Sequence, residues 1–244
     1  MMRTMGVDEN YDWAAATASA LEWWRDAGVD ALVDDAPHDW LAEPAALAAV
    51  PAPANGSPAL PVTLAEFLAW RGGGDAPDAG WSGPTIASSG PASPALMVLA
   101  DCPDRDDEGV LLGGGASGRL FARMLAAIGL AREDVHVAAL CWRRPTAGRM
   151  PREVEARLGE LARHHIALVE PKRLLLLGKA ASQAILSADV GEARGNLHAV
   201  NHDRGTVSAA ATYHPRFLIE KPACKADCWK DLRMLMRHDG DMAP

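Results

Sequence analysis

The sequence predicts an α/β protein, a three-layer α/β/α sandwich in which helices cover both faces of a mostly parallel sheet. Two observations carry that prediction. Short apolar runs recur at Leu96 to Leu99, Val135 to Leu140 and Arg173 to Leu177, each long enough for a strand and apolar enough for burial on both faces. Between them stand longer segments with apolar residues at helical spacing, and strands that alternate with helices lead to parallel pairing.

Tyr11 to Ala27 has the pattern of an amphipathic helix, with Trp13, Ala20, Leu21 and Trp24 as its apolar positions and Gly28 as its stop. Ala42 to Pro61 is rich in Ala and Pro around an Asn55-Gly56 turn, as a linker or an extended wrap would be. Thr63 to Trp70 is a short helix with Thr63 as its N-cap, and Arg71 to Pro94, dominated by Gly, Pro, Ser and Asp, reads as loop. Residues 1–94 are thus expected to form an N-terminal extension, and residues 95–244 the main domain. There, Leu96 to Leu99 is the first strand. Ser117 to Ile128 is a helix that gathers Leu120, Phe121, Met124, Leu125 and Ile128 on one side, and Val135 to Leu140 is the second strand. Pro151 opens the next helix, where a missing N–H does no harm, and Leu158, Leu161 and Ile166 continue it. Arg173 to Leu177 is the third strand, Gly178 starts another helix, and residues 197 to 211 supply one or two further strands.

The 244 residues suit one α/β domain with an appendage. Alanine inflates the 49% hydrophobic content, and no apolar run approaches the roughly 18 residues of a membrane span. No basic start leads into an apolar segment, so a soluble cytoplasmic protein is expected. Charge is uneven: residues 1–94 hold three Lys/Arg against thirteen Asp/Glu, whereas residues 95–244 hold 21 against 19. The net charge of −8 opposes nonspecific nucleic-acid binding, but Arg143, Arg144, Arg149 and Arg152 form either a local basic stripe or a solvated charged loop. Cys102, Cys141, Cys224 and Cys228 include no CxxC pair. Unconnected thiols are expected, with no metal and no disulfide framework.

Chemistry is sought at strand ends. Thr212-Tyr213-His214-Pro215-Arg216-Phe217-Leu218 follows the apolar run Val207 to Ala211 and precedes a helix-like segment ending Trp229 to Met236. Pro215 cannot extend the strand and biases His214 toward an extended backbone, which holds the imidazole where open α/β sheets place their ligand crevices. The alternative is a histidine tied down in a turn. The glycine run Gly113-Gly114-Gly115 lacks the Gly-Lys-Ser/Thr ending of a phosphate loop, and no Gly-x-Ser-x-Gly elbow suggests an ester hydrolase.

The strand, His-Pro-x-x-Leu and Trp/Asp/Leu/Met-rich helix of Thr212 to Met236 resemble the uracil-DNA glycosylase superfamily, most closely its iron-sulfur type. Leu125 to Val135, Arg144-Pro145, Val169 to Lys172 and Leu174 to Ala181 match in the same order, so the resemblance covers Ala95 to Gly240. It implies a four-stranded central sheet and DNA as partner, single-stranded or duplex with a flipped base. It also gives residues roles. Ala100-Asp101-Cys102-Pro103-Asp104 is similar to the family's Gly-Glu-Ala-Pro-Gly loop, so Asp101 would place water, and Cys102 and Pro103 would line the base pocket; an ordinary strand-end carboxylate is the other reading of Asp101. Leu111 or Leu112 stands where the family stacks a phenylalanine on the base, and Ala139 where its asparagine reads the base's polar edge. Arg143 and Arg157 occupy positions resembling two cluster cysteines, so no iron-sulfur cluster and no other cofactor is expected. His214 would stabilise charge on the leaving base, while Arg143, Arg144, Arg149, Lys179 and Arg216 would face DNA.

The expected activity is that of a divergent glycosylase which hydrolyses the N-glycosidic bond of uracil or another deaminated base. The alternative is a catalytically inactive module of the same fold that binds nucleic acid or a protein partner, in keeping with Ala139, the two leucines and the acidic extension.

Overall fold

In the computed structural model the described residues are 17–19, 22, 60–145 and 150–237. The chain divides into two compact units, Met1–Ser57 and Pro58–Pro244. In the first, residues 17–19 and 22 are helical and exposed. The rest of the helix expected at Tyr11 to Ala27, and the Ala/Pro-rich stretch through residue 59, lie outside the described residues.

The second unit begins with α1 (Leu64–Gly72), followed by β1 (Leu96–Ala100), α2 (Gly115–Ala127), β2 (Val135–Ala139), α3 (Arg152–Val169) and β3 (Arg173–Leu177). It continues through α4 (Lys179–Leu186), α5 (Val190–Ala193), β4 (Leu197–His202), β5 (Gly205–Thr212), α6 (Pro215–Glu220) and α7 (Lys225–Arg237). Thr63 caps α1 as expected, its hydroxyl accepting from the Glu66 N–H at 3.3 Å. The sheet has five strands in the order β2-β1-β3-β5-β4. β1, β2, β3 and β5 run parallel, and β4 pairs antiparallel with β5 at the edge. The expected four-stranded sheet is therefore extended by a fifth strand. Half-exposed β4, joined to β5 through Asp203-Arg204, lacks the continuous apolar run that marks the strands buried on both faces.

Alternation along each strand builds two cores. Leu96, Val98, Val137 and Leu175 face Phe121 and Leu125 of α2 and Leu232 and Leu235 of α7. Met97, Leu99, Leu174 and Leu176 face Ala162 and Ile166 of α3 and Ala181 and Ile185 of α4. This is the expected three-layer sandwich. No helix among the described residues is long and apolar enough to cross a membrane.

The described part of residues 60–94, assigned to the extension by composition, belongs to the second unit. Phe67 of α1 packs with Leu158 and Leu161 of α3, and Ile86 lies in the α2-side core. Arg71 and Asp78 form a buried ion pair; Arg71 also donates to the Leu140 carbonyl at 2.9 Å, and Asp78 accepts from the Trp142 N–H at 2.6 Å. A Gly- and Pro-rich composition conceals such packing because its polar groups are satisfied inside the protein rather than by water. The two compact units meet at 57/58, whereas composition changes at 94/95.

Candidate active site

The parallel strands deliver their C-terminal ends to one side of the sheet, where a crevice forms as the strand order reverses about β1. Asp101 follows β1, and His214 follows β5 by two residues. β3, which lies between them, is followed by Gly178, whose φ of +90° suits glycine. A Cβ at Gly178 would stand 3.3 Å from the His214 Cβ, so the bare backbone lets the histidine settle over the end of β3. His214 Nε2 consequently comes within 3.6 Å of Asp101 Oδ1.

His214 is the N-cap of α6, and Pro215 occupies the next position, where its fixed φ favours a helix start. The imidazole Nδ1 accepts from the Arg216 N–H at 3.2 Å, so the ring proton of neutral His214 sits on Nε2. Only 4% of the side chain is exposed, and Nε2 has no hydrogen-bond partner. Burial lowers the His214 pKa below its ordinary value, helped by the Arg216 cation; the carboxylates of Asp101, Asp104 and Asp107 oppose this without reversing it. A neutral donor beside a carboxylate is the result.

Asp101 Oδ1 accepts from the Cys102 N–H at 2.8 Å, and Asp101 Oδ2 from Arg216 Nη2 at 3.0 Å. Arg216 Nη1 meets Asp104 Oδ1. The other Asp104 oxygen is buried without a partner. Further along the loop the buried Asp107 accepts from four backbone N–H groups, those of Asp104, Leu112, Gly113 and Gly114, at 2.9 to 3.2 Å. This nest folds the loop back on itself and drives Leu111 and Leu112 into the core beside Ala100 and Ala139. Leu112 takes a φ of +53° to do so.

The described candidates thus fall into three groups. Asp101 and His214 are brought together, with Cys102 and Pro103 buried behind Asp101. Leu111, Leu112 and Ala139 share one buried apolar cluster, so none places a polar side-chain group at a base edge. The cations are dispersed. Arg144 donates to the Pro103 carbonyl at 3.0 Å and, with Arg105 and Arg216, lines a cleft of about 400 Å³ that also holds Asp104, Asp106 and Glu220. Arg143 donates to Thr85 Oγ1 at 2.8 Å, and exposed Lys179 pairs with Asp189 at 3.0 Å. Arg149 lies outside the described residues. Sequence reasoning missed the grip of Arg216 on two carboxylates, the nest around Asp107 and the glycine gap at Gly178. The acidic run Asp104 to Glu108 signals charge, but nothing in its spacing says which carboxylate turns inward.

Fastening of β5 fixes the histidine further. Buried Asp231 of α7 accepts from Thr212 Oγ1 at 2.8 Å, Arg194 Nε at 3.2 Å and the Gly195 N–H at 3.1 Å. Burial raises its pKa even so.

The donor set does not fit a four-cysteine cluster. Among the described residues no group of three or more His, Cys, Asp or Glu could hold a metal ion. Arg157 pairs with Glu160. Cys141 donates to the Asp101 carbonyl at 3.2 Å; the neighbouring Cys141 thiol draws Cys102 below its usual range, while Cys102 and burial push Cys141 up.

Comparison with known proteins adds a family to this geometry. The family model of the uracil DNA glycosylase superfamily matches residues 87–233. The type-4 uracil-DNA glycosylase of Pyrobaculum aerophilum is 28% identical over 158 residues, covering 61% of this chain and 80% of that protein. That of Archaeoglobus fulgidus is 28% identical over 160 residues, covering 61% and 79%.

Proposed function

Since the chain belongs to the uracil DNA glycosylase superfamily, we propose that it is a DNA N-glycosylase hydrolysing the N-glycosidic bond of uracil or another deaminated base. One observation carries the reading: a buried neutral His214 with its Nε2–H unpartnered, 3.6 Å from the Asp101 carboxylate. In this reaction the glycosidic bond breaks toward the base, which departs as an anion, and water attacks the anomeric carbon. His214 Nε2–H is the donor for the developing negative charge, and Asp101 orients the water and receives its proton. The target nucleotide must leave the base stack to reach groups this deep, with Arg144 and Arg105 of the cleft against its phosphates.

The apolar cluster of Leu111, Leu112 and Ala139 alters selectivity. One missing hydrogen bond to a buried base edge costs about 1 to 3 kcal/mol, so discrimination among deaminated bases is expected to be weaker than a site with a polar reader would give. That same cluster favours a second reading, in which the fold binds nucleic acid or protein without cleaving.

Purified protein offered single-stranded and mismatched DNA bearing uracil, hypoxanthine or xanthine separates the two. Excision by wild type, reduced about 10²- to 10³-fold in kcat by His214→Ala, supports the glycosylase. Wild type and variant equally silent on every substrate would transfer the assignment to the binding module.

A further inference from the structure

Arg216 stands next to the reactive histidine, half-exposed and cationic, as a DNA-phosphate contact would. Its bonding is different. The main-chain N–H holds His214 Nδ1 at 3.2 Å, while the guanidinium spans Asp101 Oδ2 and Asp104 Oδ1. One residue thus sets the tautomer of the imidazole and the attitude of the carboxylate. We propose that Arg216 is the positioning residue of this site, its guanidinium holding the Asp101 carboxylate against His214, with Asp104 as the counter-anchor, rather than binding a phosphate of DNA.

Three features support this assignment. The guanidinium fork meets two separate carboxylates, so the cation is neutralised before DNA arrives and a phosphate would have to displace both. Asp101 Oδ2 is occupied by Arg216, which turns Oδ1 toward the Cys102 N–H and His214 Nε2. Asp104 is itself fixed, because its N–H is bound in the nest of Asp107. The charged groups that face His214 are therefore Asp101, Asp104 and Asp107 from the loop after β1, and Arg216 from α6. On the glycosylase reading, losing the clamp lets the water-orienting carboxylate swing. The electrostatic consequence holds whether or not the chain cleaves DNA.

The test is a double-variant cycle read by the NMR titration of the His214 imidazole, with Asp101→Asn and Arg216→Gln singly and together. Asp101→Asn is expected to lower the His214 midpoint by at least about half a pH unit, and in the Arg216→Gln background that effect is expected to shrink by half or more as the unclamped carboxylate leaves the ring. Equal effects of Asp101→Asn in both backgrounds would overturn the proposal, even for a protein with no activity. Arg216→Lys, which keeps the charge without the fork, is the second variant and is expected to restore the coupling in part. If uracil is excised, Arg216→Gln is expected to reduce kcat about tenfold or more with KM for DNA and its salt dependence unchanged. A raised KM with the log–log salt slope reduced by about 0.9 would identify a phosphate contact instead and reject the positioning role.

Discussion

At the residue scale the site turns on the protonation of one imidazole. His214 is kept neutral by burial, and the Arg216 N–H on Nδ1 leaves its proton on Nε2. A neutral donor stabilises an anionic leaving base without first giving up a proton, so activity should persist to lower pH than a solvent-exposed histidine would allow. For a glycosylase working in this way, the acid limb of kcat assigned to His214 lies below the ordinary histidine value of about 6.5. A limb at or above that value would mean that His214 acts in its charged form. The histidine was legible in the sequence because Pro215 and the preceding apolar run fix where it stands. The role of Arg216 was not, since a lone arginine after His-Pro gives no sign of the two carboxylates folded against it from more than a hundred residues away.

At the scale of elements, β1, β2 and β3 were legible because burial on both faces demands unbroken apolar runs. β4 was ambiguous for the converse reason: its outer edge and much of its surface are solvated. What joins the elements is less visible still. Asp231 ties the end of β5 to α7 and to the turn at Arg194 and Gly195, and the Arg194 guanidinium lies 4.9 Å from the centre of the Tyr213 ring. Removing one partner of a buried ion pair leaves the rest unsatisfied at a cost of about 3 to 5 kcal/mol, so Asp231→Ala should lower the unfolding free energy by that order in a denaturant titration. The α6 cap then loses its support, and excision should fall even where the protein remains folded. Unchanged stability would show that Thr212 and Arg194 find other partners.

Across the whole molecule, a second histidine cluster makes stability depend on pH far more than the composition suggests. His136 on β2 and His165 on α3 face each other with their Nε2 atoms 3.1 Å apart, and His136 Nδ1 lies 3.1 Å from the Pro91 carbonyl. His136 must donate from Nδ1, so its Nε2 accepts and the single shared proton belongs to His165. Burial holds both pKa values below the ordinary range, His165 far below, with His136, Arg71 and His164 adding to the effect on it. The unfolded chain takes up protons as pH falls through about 6.5 while the folded pair does not, so stability is full above that value and declines below it, by up to about 1.4 kcal/mol per pH unit for each histidine engaged. The pair sits where α3, β2 and the tightly packed segment before β1 meet, so its protonation loosens the junction that the composition of residues 60–94 concealed. Thermal unfolding followed from about pH 7.5 to about pH 5.5 should show a falling Tm, and the double variant His136→Val, His165→Leu should show a shallower fall. His214, whose pKa is also depressed, keeps the remaining slope from vanishing. A slope unchanged in the double variant would place the acid sensitivity elsewhere and leave the pair as a pH-insensitive packing contact.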